Sequence, residues 1–163
     1  TVIAPRHIER SKEIKSLFDN LNLNTQILND KDIIQDNMDI IIVNSFGVLN
    51  NFYKYAKSVF IGKSTLKKLK DVGGQNPIDA AKLGCKIYHG PYVYNFKEIY
   101  EILQNKRISK KIDSIDELTF NLINDLENKE KVNNVSEFID NLCQKTFLNT
   151  MKSIDKFLID EIK

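Results

Sequence analysis

Short apolar runs alternate along this chain with longer stretches whose apolar residues recur every three or four positions. The run Ile40–Val43 is entirely apolar, which is typical of a strand buried on both faces inside a parallel sheet. Alternation of strands with helices predicts an α/β fold in which helices flank a parallel sheet. We predict strands at 1–4, 25–28, 40–43, 58–61, 86–88 and 107–112, and helices at 14–21, 49–56, 77–83, 96–104 and 115–126.

The last part of the chain carries a helical pattern without strands. We predict two helices there, at 135–145 and 147–162. The expected organisation is one α/β domain at 1–126 followed by a helical extension at 127–163. We expect the extension to pack either on that domain or on a further domain outside this chain.

Composition narrows the class of protein. Of the 163 residues, 42% are apolar and 28% are charged, a balance typical of soluble globular proteins. The formal net charge is +2, which does not favour nucleic acid as a partner. No apolar run reaches the roughly 20 residues of a membrane-spanning helix. Because the first residue is Thr1 rather than Met, we expect the chain to be the C-terminal piece of a longer protein.

The two cysteines, Cys85 and Cys143, are far apart in the sequence and lack the spacing of a metal-binding pair. Isolated cysteines in a reducing compartment usually pack as small apolar side chains. We therefore expect both to lie in the core rather than to hold a metal.

The stretch 72–96, VGGQNPIDAAKLGCKIYHGPYVYNF, carries the most informative polar pattern. Asn76 is expected to cap the short helix that follows it, and Pro77 suits the first helical turn because it lacks an N–H group. Gly84 is expected to end this helix in the left-handed conformation.

A pair of glycines, Gly73 and Gly74, precedes this cap. Glycine lets a backbone approach a ligand closely, and a helix start carries a partial positive charge. The combination is typical of a site for a phosphate-bearing ligand.

Other unusual residues follow the predicted strands, where ligands of open α/β sheets bind. Arg6 is a natural phosphate partner because its guanidinium binds bidentately and stays charged. The alternative for Arg6 is a surface ion pair with Glu9 or Asp36. His7 would either donate to a phosphate or orient the turn at Pro5.

Two further positions allow two interpretations each. Gly47 either begins a helix whose free N–H groups meet a nucleobase or phosphate, or forms an ordinary turn. Asp79 lies at the capping-box position relative to Asn76. Its carboxylate would alternatively accept hydrogen bonds from both hydroxyls of a ribose.

For the remaining candidates we consider both solvation or packing and contact with a ligand or membrane. A basic loop is either solvated or contacts an anionic membrane surface or ligand. His89 is expected to be a rim or core histidine, and a tyrosine cluster is expected to pack rather than to stack on a base. The loop contains Lys63, Lys67, Lys68 and Lys70, and the cluster contains Tyr53, Tyr55, Tyr92 and Tyr94.

Four motifs follow one another along about residues 1–125. They are Pro5-Arg6-His7-x-Glu9-Arg10, Ser45-Phe46-Gly47-x-Leu49, Gly73-Gly74-Gln75-Asn76-Pro77-x-Asp79-x-Ala81 and Gly90-Pro91-x-x-x-Asn95-Phe96. This ordered set resembles that of the 3-deoxy-D-manno-octulosonic acid (Kdo) transferases. The region resembles the C-terminal, donor-binding half of such an enzyme.

The resemblance implies a Rossmann-like domain, one of the two that face each other in the GT-B architecture. It implies transfer of Kdo from CMP-Kdo to the lipid A precursor during lipopolysaccharide synthesis, at the cytoplasmic face of the bacterial inner membrane. It also implies a set of CMP-contacting residues. These are Pro5, Arg6, Phe46, Gly47, Val48, Asn76, Pro77, Ile78 and Asp79.

The resemblance further implies which catalytic roles belong to this chain and which belong to the N-terminal domain. Arg6 would stabilise the leaving phosphate, and neither a metal nor another cofactor is expected. The family's general base belongs to the N-terminal domain, which also meets the lipid acceptor. We therefore expect no catalytic residue in this chain apart from the role of Arg6.

The sequence departs from the family pattern at several positions. Val48 and Asp79 stand where the family usually has Glu, Gln75 stands where it has His, and Lys63 stands where it has Gly. The loop at 64–73 is a few residues longer than usual. Two alternatives stay open: another nucleotide-sugar GT-B enzyme or epimerase, and an interaction module that has lost ligand binding.

Overall fold

The computed structural model describes residues 1–127 and 135–161. The chain divides into two compact units, Thr1–Phe52 and Tyr53–Lys163. The strands are β1 (Val2–Ile3), β2 (Thr25–Leu28), β3 (Ile40–Val43), β4 (Ser58–Ile61), β5 (Lys86–His89) and β6 (Ser109–Lys111). The α-helices are α1 (Ser11–Asp19), α2 (Leu49–Tyr53), α3 (Ile78–Lys82), α4 (Lys97–Asn105), α5 (Ile115–Glu127) and α6 (Val135–Glu161). Short 3-10 turns occur at Ile8–Arg10, Lys67–Leu69 and Tyr94–Phe96.

The first unit contains a parallel sheet in the order β1–β3–β2. β3 is the central strand, and all four of its side chains are buried, as expected for an uninterrupted apolar run. Helix α1 packs on β2 and β3. Its Ile14 and Phe18 are half-buried, whereas Leu17 and Leu21 of the same predicted stripe are exposed.

The second unit contains a parallel sheet in the order β4–β5–β6. The central strand β5 again carries the most buried side chains. Helices α3, α4 and the beginning of α6 contribute to one apolar core with these strands. Its buried members are Ile61, Ala80, Ala81, Cys85, Ile87, Tyr100, Leu103, Ile108, Val135 and Ile139.

Gly84 ends α3 as the sequence predicts. Its φ angle is +77°, in the left-handed region. The N–H of Gly84 donates to the carbonyl of Ala81 (2.9 Å), and the N–H of Cys85 donates to that of Ala80 (3.1 Å). This pair of bonds is the Schellman arrangement, and it turns the chain directly into β5.

The prediction of parallel strands alternating with helices is confirmed. The hydrogen bonds group these strands into two three-stranded sheets rather than one continuous ladder. β1 has only two residues, so it carries few ladder bonds. Helix α2 ends at Tyr53, three residues earlier than predicted.

The prediction of two C-terminal helices is wrong within the described residues, where a single helix, α6, runs from Val135 to Glu161. The expected break near Thr146 does not occur because no glycine or proline interrupts the pattern. The Thr146 hydroxyl instead donates to the carbonyl of Leu142 one turn earlier (2.9 Å), a bond that helices accommodate. Residues 128–134, 162 and 163 of the predicted extension lie outside the described residues.

The first turns of α6 belong to the second unit. Val135 and Ile139 are buried in its core, and Lys82 of α3 pairs with Asp140 (2.6 Å). Every described side chain from 143 to 159 is exposed. The large apolar ones among them are Phe147, Leu148, Met151, Ile154, Phe157, Leu158 and Ile159. The division into a domain at 1–126 and an extension at 127–163 stays a prediction.

The two cysteines differ in environment. Cys85 is fully buried, as predicted, and its thiol contacts the carbonyl of Tyr53 (3.3 Å). Cys143 is exposed, so its predicted place in the core is wrong. It lies just beyond the part of α6 that reaches the core.

A buried carboxylate fastens α5 to the second sheet. Asp125 is only 6% exposed, and it accepts hydrogen bonds from Ser58 of β4, Lys86 of β5 and the hydroxyl of Tyr88 (2.7 Å for the last). Burial raises the pKa of Asp125, but the bonds from Lys86, Ser58 and Tyr88 outweigh it and hold this pKa below its usual value. The sequence pattern gave no sign of this residue.

We predict that Asp125→Asn lowers the free energy of unfolding by about 2 kcal/mol at neutral pH, because the donors around it lose a charged acceptor. The folded-state pKa is depressed, so this stabilisation is present above the unfolded-state pKa. It is lost as the pH falls through the folded-state pKa. Urea unfolding from neutral pH down to about pH 3 measures the difference between the two proteins.

That difference is expected to shrink on acidification. Asp116→Asn, on the exposed side of the same helix, is the control and is expected to change stability by less than about 0.5 kcal/mol. A difference that stays constant with pH would contradict the assigned role of the charge.

Candidate functional site

The first group of predicted contacts lies at one edge of the first sheet. β1 and β3 are parallel neighbours, so the residues that follow them come to the same edge. Pro5 and Arg6 follow β1, and Phe46, Gly47 and Val48 follow β3. Phe46 is 75% exposed, and Gly47 has a φ of +76° with open space where a Cβ would be.

Arg6 is exposed, and among residues 1–127 and 135–161 its guanidinium has no hydrogen-bond or ion-pair partner. The alternative of a surface ion pair with Glu9 or Asp36 is therefore not found there. Glu9 instead lies 3.7 Å from His7. A charged, uncommitted guanidinium at a sheet edge retains its full capacity to bind an anion.

A chain of polar side chains fixes the geometry of this edge. The hydroxyl of Ser11 donates to the Oδ1 of Asn44 (3.0 Å), and the amide of Asn44 donates to the Oδ1 of Asn29 (2.8 Å). Asn44 follows β3, Asn29 follows β2 and Ser11 begins α1. Sequence reasoning missed these residues, although a polar residue directly after the apolar run 40–43 was the available signal.

The second group lies at the beginning of α3, in the second unit. The Oδ1 of Asn76 accepts a hydrogen bond from the N–H of Ile78 (3.0 Å), the first residue of α3. The N-cap position itself is occupied by Pro77 rather than by the predicted Asn76, which lies one residue earlier. Pro77 has helical backbone angles and is buried, whereas Asn76 and Asp79 are exposed. The carboxylate of Asp79 makes no hydrogen bond to any described residue, so it does not act as a capping box here.

The glycine pair before α3 has a packing role. A Cβ on Gly73 would lie 2.4 Å from the carbonyl oxygen of Tyr92, and one on Gly74 would lie 3.0 Å from the Cα of Val93. Gly74 also has a φ of +87°. The backbone that approaches these glycines is that of residues 92–93, so the ligand interpretation of the pair is not needed to explain it.

Buried Ser64 joins the loops that leave β4 and β5. Its hydroxyl donates to the carbonyl of Ile61 (2.7 Å) and accepts from the N–H of Gly90 (2.9 Å). Its carbonyl accepts from the N–H of Tyr92 (2.8 Å). The loop at 72–76 is held beside them, because the N–H of Gly74 donates to the carbonyl of Lys63 (2.9 Å).

His89 is a core histidine, as expected, with 1% of its surface exposed. Its ring lies 4.2 Å from that of Tyr100. Burial lowers its pKa, although a hydrogen bond to the backbone of Gly90 acts in the opposite direction.

In the tyrosine cluster, Tyr53 packs against the core as expected, but Tyr55 and Tyr94 are exposed.

The structure thus brings the predicted contacts together in two groups, one in each unit. Their role in ligand binding stays a prediction. In the described part of the chain, no three His, Cys, Asp or Glu side chains are grouped closely enough to hold a metal ion. Among the helices of residues 1–127 and 135–161, none has the length and apolar character of a membrane-spanning segment.

The sequence and the fold of this chain were compared with those of known proteins. No protein-family model matches the chain. A 3-deoxy-D-manno-octulosonic acid transferase from Rickettsia felis is 33% identical over 168 residues, which covers 96% of this chain and 34% of that protein. The chain resembles part of a Kdo transferase. A protein of the same name from Aquifex aeolicus is 23% identical over 80% of this chain and 35% of its own length.

The chain therefore spans about a third of the length of these Kdo transferases. A solved structure also shares its fold: the C-terminal CMP-Kdo-binding domain of WaaA from Acinetobacter baumannii. The two superpose with a TM-score of 0.72 at 21% identity, over 88% of this chain and 72% of that domain. The predicted α/β fold, with parallel strands flanked by helices, is confirmed, and it is the fold of that domain.

We predict that Gly73→Ala destabilises the protein by about 2 kcal/mol, because the new methyl group would overlap the carbonyls of Tyr92 and Leu69. Gly62→Ala is the matched control, since nothing lies within 4 Å of a Cβ at Gly62. Thermal unfolding of both variants measures the effect. Equal melting temperatures would show that the loops do not pack as described.

Proposed function

We propose that this chain is the donor-binding half of a Kdo transferase and binds CMP-Kdo. The observation that carries the proposal is the similarity to a Kdo transferase along 96% of the chain. The fold shared with a solved CMP-Kdo-binding domain supports it. The enzyme would be a glycosyltransferase, and this chain would supply one side of its cleft.

The proposed chemistry is glycosyl transfer with CMP as the leaving group. Negative charge grows on the phosphate as its bond to the sugar breaks, and stabilising that charge is usually the largest catalytic contribution. The uncommitted guanidinium of Arg6 would bind this phosphate, together with the first N–H groups after Gly47. Neither a metal nor another cofactor takes part in this proposal.

Residues at the beginning of α3 are the proposed nucleoside contacts. The carboxylate of Asp79 is exposed beside the capped start of α3, and it is available to accept hydrogen bonds from both ribose hydroxyls. Asn76, Pro77 and Ile78 would contribute mainly their backbone and the shape of the turn. Aspartate is one methylene shorter than the glutamate that the family usually carries, so the ribose would lie closer to the helix.

Two departures from the family pattern gain a structural meaning. Val48 is half-buried, so in place of a carboxylate it would offer the ligand backbone groups and an apolar surface. Lys63 has a φ of +58°, a conformation that glycine adopts without cost. A glycine at this position, as is usual in the family, would hold this conformation with less strain than the lysine does.

We propose that the full-length enzyme transfers Kdo to the lipid A precursor in lipopolysaccharide synthesis. It would work at the cytoplasmic face of the bacterial inner membrane, with acceptor and membrane contacts made by its N-terminal domain. The exposed apolar side chains of α6 support a related proposal. Its segment 143–159 would pack on that N-terminal domain, because seven large apolar side chains are costly to leave in water.

We predict saturable binding of CMP in isothermal titration calorimetry, weaker binding of UMP, and a loss of CMP affinity of at least about tenfold in Arg6→Ala. Arg10→Ala is the matched control, because Arg10 is exposed nearby but already paired with Glu13 (3.0 Å). It is expected to bind CMP as the wild type does.

Equal affinity for CMP and UMP would instead favour another nucleotide-sugar enzyme or an epimerase. Absence of binding to either nucleotide would favour an interaction module without a ligand. A loss of affinity in Arg10→Ala as large as in Arg6→Ala would contradict the role given to Arg6.

We also predict that this chain alone does not catalyse Kdo transfer, since the proposed general base lies outside it. A glycosyl-transfer assay with CMP-Kdo and the lipid A precursor tests this. Turnover by the isolated chain would refute the proposal that the general base lies in the N-terminal domain.

A further inference from the structure

A buried tyrosine reaches from α4 to the turn before α3. Tyr100 is 1% exposed, and its hydroxyl donates a hydrogen bond to the carbonyl of Gln75 (3.0 Å). Gln75 directly precedes Asn76, whose side chain accepts the hydrogen bond from the first N–H of α3. Among the described residues, Tyr100 is the one side chain hydrogen-bonded to the backbone of residues 75–77.

The ring of Tyr100 is itself fixed by the central strand of the second sheet. It lies 4.2 Å from the ring of His89, at the end of β5. The Nδ1 of His89 lies 2.7 Å from the carbonyl of Gly90, and a carbonyl only accepts, so Nδ1 carries the proton. The unprotonated Nε2 then accepts from the amide of Gln104 (2.9 Å), and the imidazole is held at both nitrogens.

The hydroxyl of Tyr100 is a dependable donor at this position. Burial raises the pKa of Tyr100, so the phenol stays protonated under all ordinary conditions. The other bonds to this loop hold neighbouring residues: Asn95 donates to the carbonyl of Val72 (3.0 Å), and Gly74 donates to Lys63. Within the described chain, the hydrogen bond from Tyr100 is the one that ties the carbonyl of Gln75 to the core.

We propose that Tyr100 is a positioning residue for nucleotide binding, which holds the Gln75 carbonyl so that Asn76 and Asp79 face the ribose. This inference rests on the proposed function. It assigns the role to the hydroxyl and not to the ring, because the ring belongs to the core in any case. The ring would remain in place if the hydroxyl were removed.

The test compares Tyr100→Phe with Tyr88→Phe in the 163-residue chain. Both substitutions delete one buried tyrosine hydroxyl and its hydrogen bond, but that of Tyr88 goes to Asp125, away from the loop at 72–79. Calorimetry with CMP and with 2′-deoxy-CMP measures binding. Amide exchange at Ile78, whose N–H bonds to Asn76, reports the position of the turn directly.

We expect Tyr100→Phe to weaken CMP binding by about fivefold, the value of one hydrogen bond. Its preference for CMP over 2′-deoxy-CMP is expected to fall towards one, and the Ile78 amide to exchange faster. Tyr88→Phe is expected to change neither binding nor Ile78 exchange, although both variants lose stability. A general loss of stability would not alter the preference between the two nucleotides.

Two results would overturn the proposal while leaving the proposed function intact. In one, the wild type binds CMP and Tyr100→Phe binds both nucleotides as the wild type does. In the other, Tyr88→Phe loses the same preference. If the wild type binds no CMP, the proposed function fails and the role of Tyr100 in nucleotide binding fails with it.

Discussion

The contact between Ser64 and Gly90 is the constraint on which the geometry of the second unit depends. The hydroxyl of Ser64 forms hydrogen bonds with backbone groups at the ends of both β4 and β5. A Cβ on Gly90 would lie only 2.3 Å from the carbonyl oxygen of Ser64. No residue larger than glycine fits there without moving the backbone. Because the loops leave the sheet in contact, the turn at 72–76 is stacked against 92–93, and α3 begins from a fixed point.

In the first unit, side chains hold the loops that leave the strands. Asn44 joins the ends of β2 and β3 to the beginning of α1 through amide and hydroxyl bonds. In both units polar bonding holds the loops. The side chains of Arg6 and Asp79, two of the residues proposed to contact ligand, make no hydrogen bond or ion pair within the described chain. This separation is typical of binding sites, where a fixed frame presents groups whose hydrogen-bonding capacity is still available.

The sequence predicted well the features that depend on local physics. The strand patterns predicted β2, β3 and β4 with the observed bounds. The left-handed Gly84 after α3 follows from backbone chemistry at that residue. The four motifs led to the family, but they did not reveal why Gly73 is glycine. That reason lies in Tyr92, which is distant in sequence and close only in the fold. Asp125 was missed for the same reason, since its three donors come from two strands far upstream.

The position of α6 in the sequence determines how late in synthesis the core of the second unit can be completed. The sheet of the first unit is complete once Val43 has been made, so this unit has all its strands early. The second unit differs, because Ile139 is a fully buried member of its core and lies more than fifty residues after the α3 helix it packs with. Domains generally fold as they leave the ribosome, N-terminal parts first. Part of the apolar core beside the second sheet therefore stays uncovered until the beginning of α6 has been made.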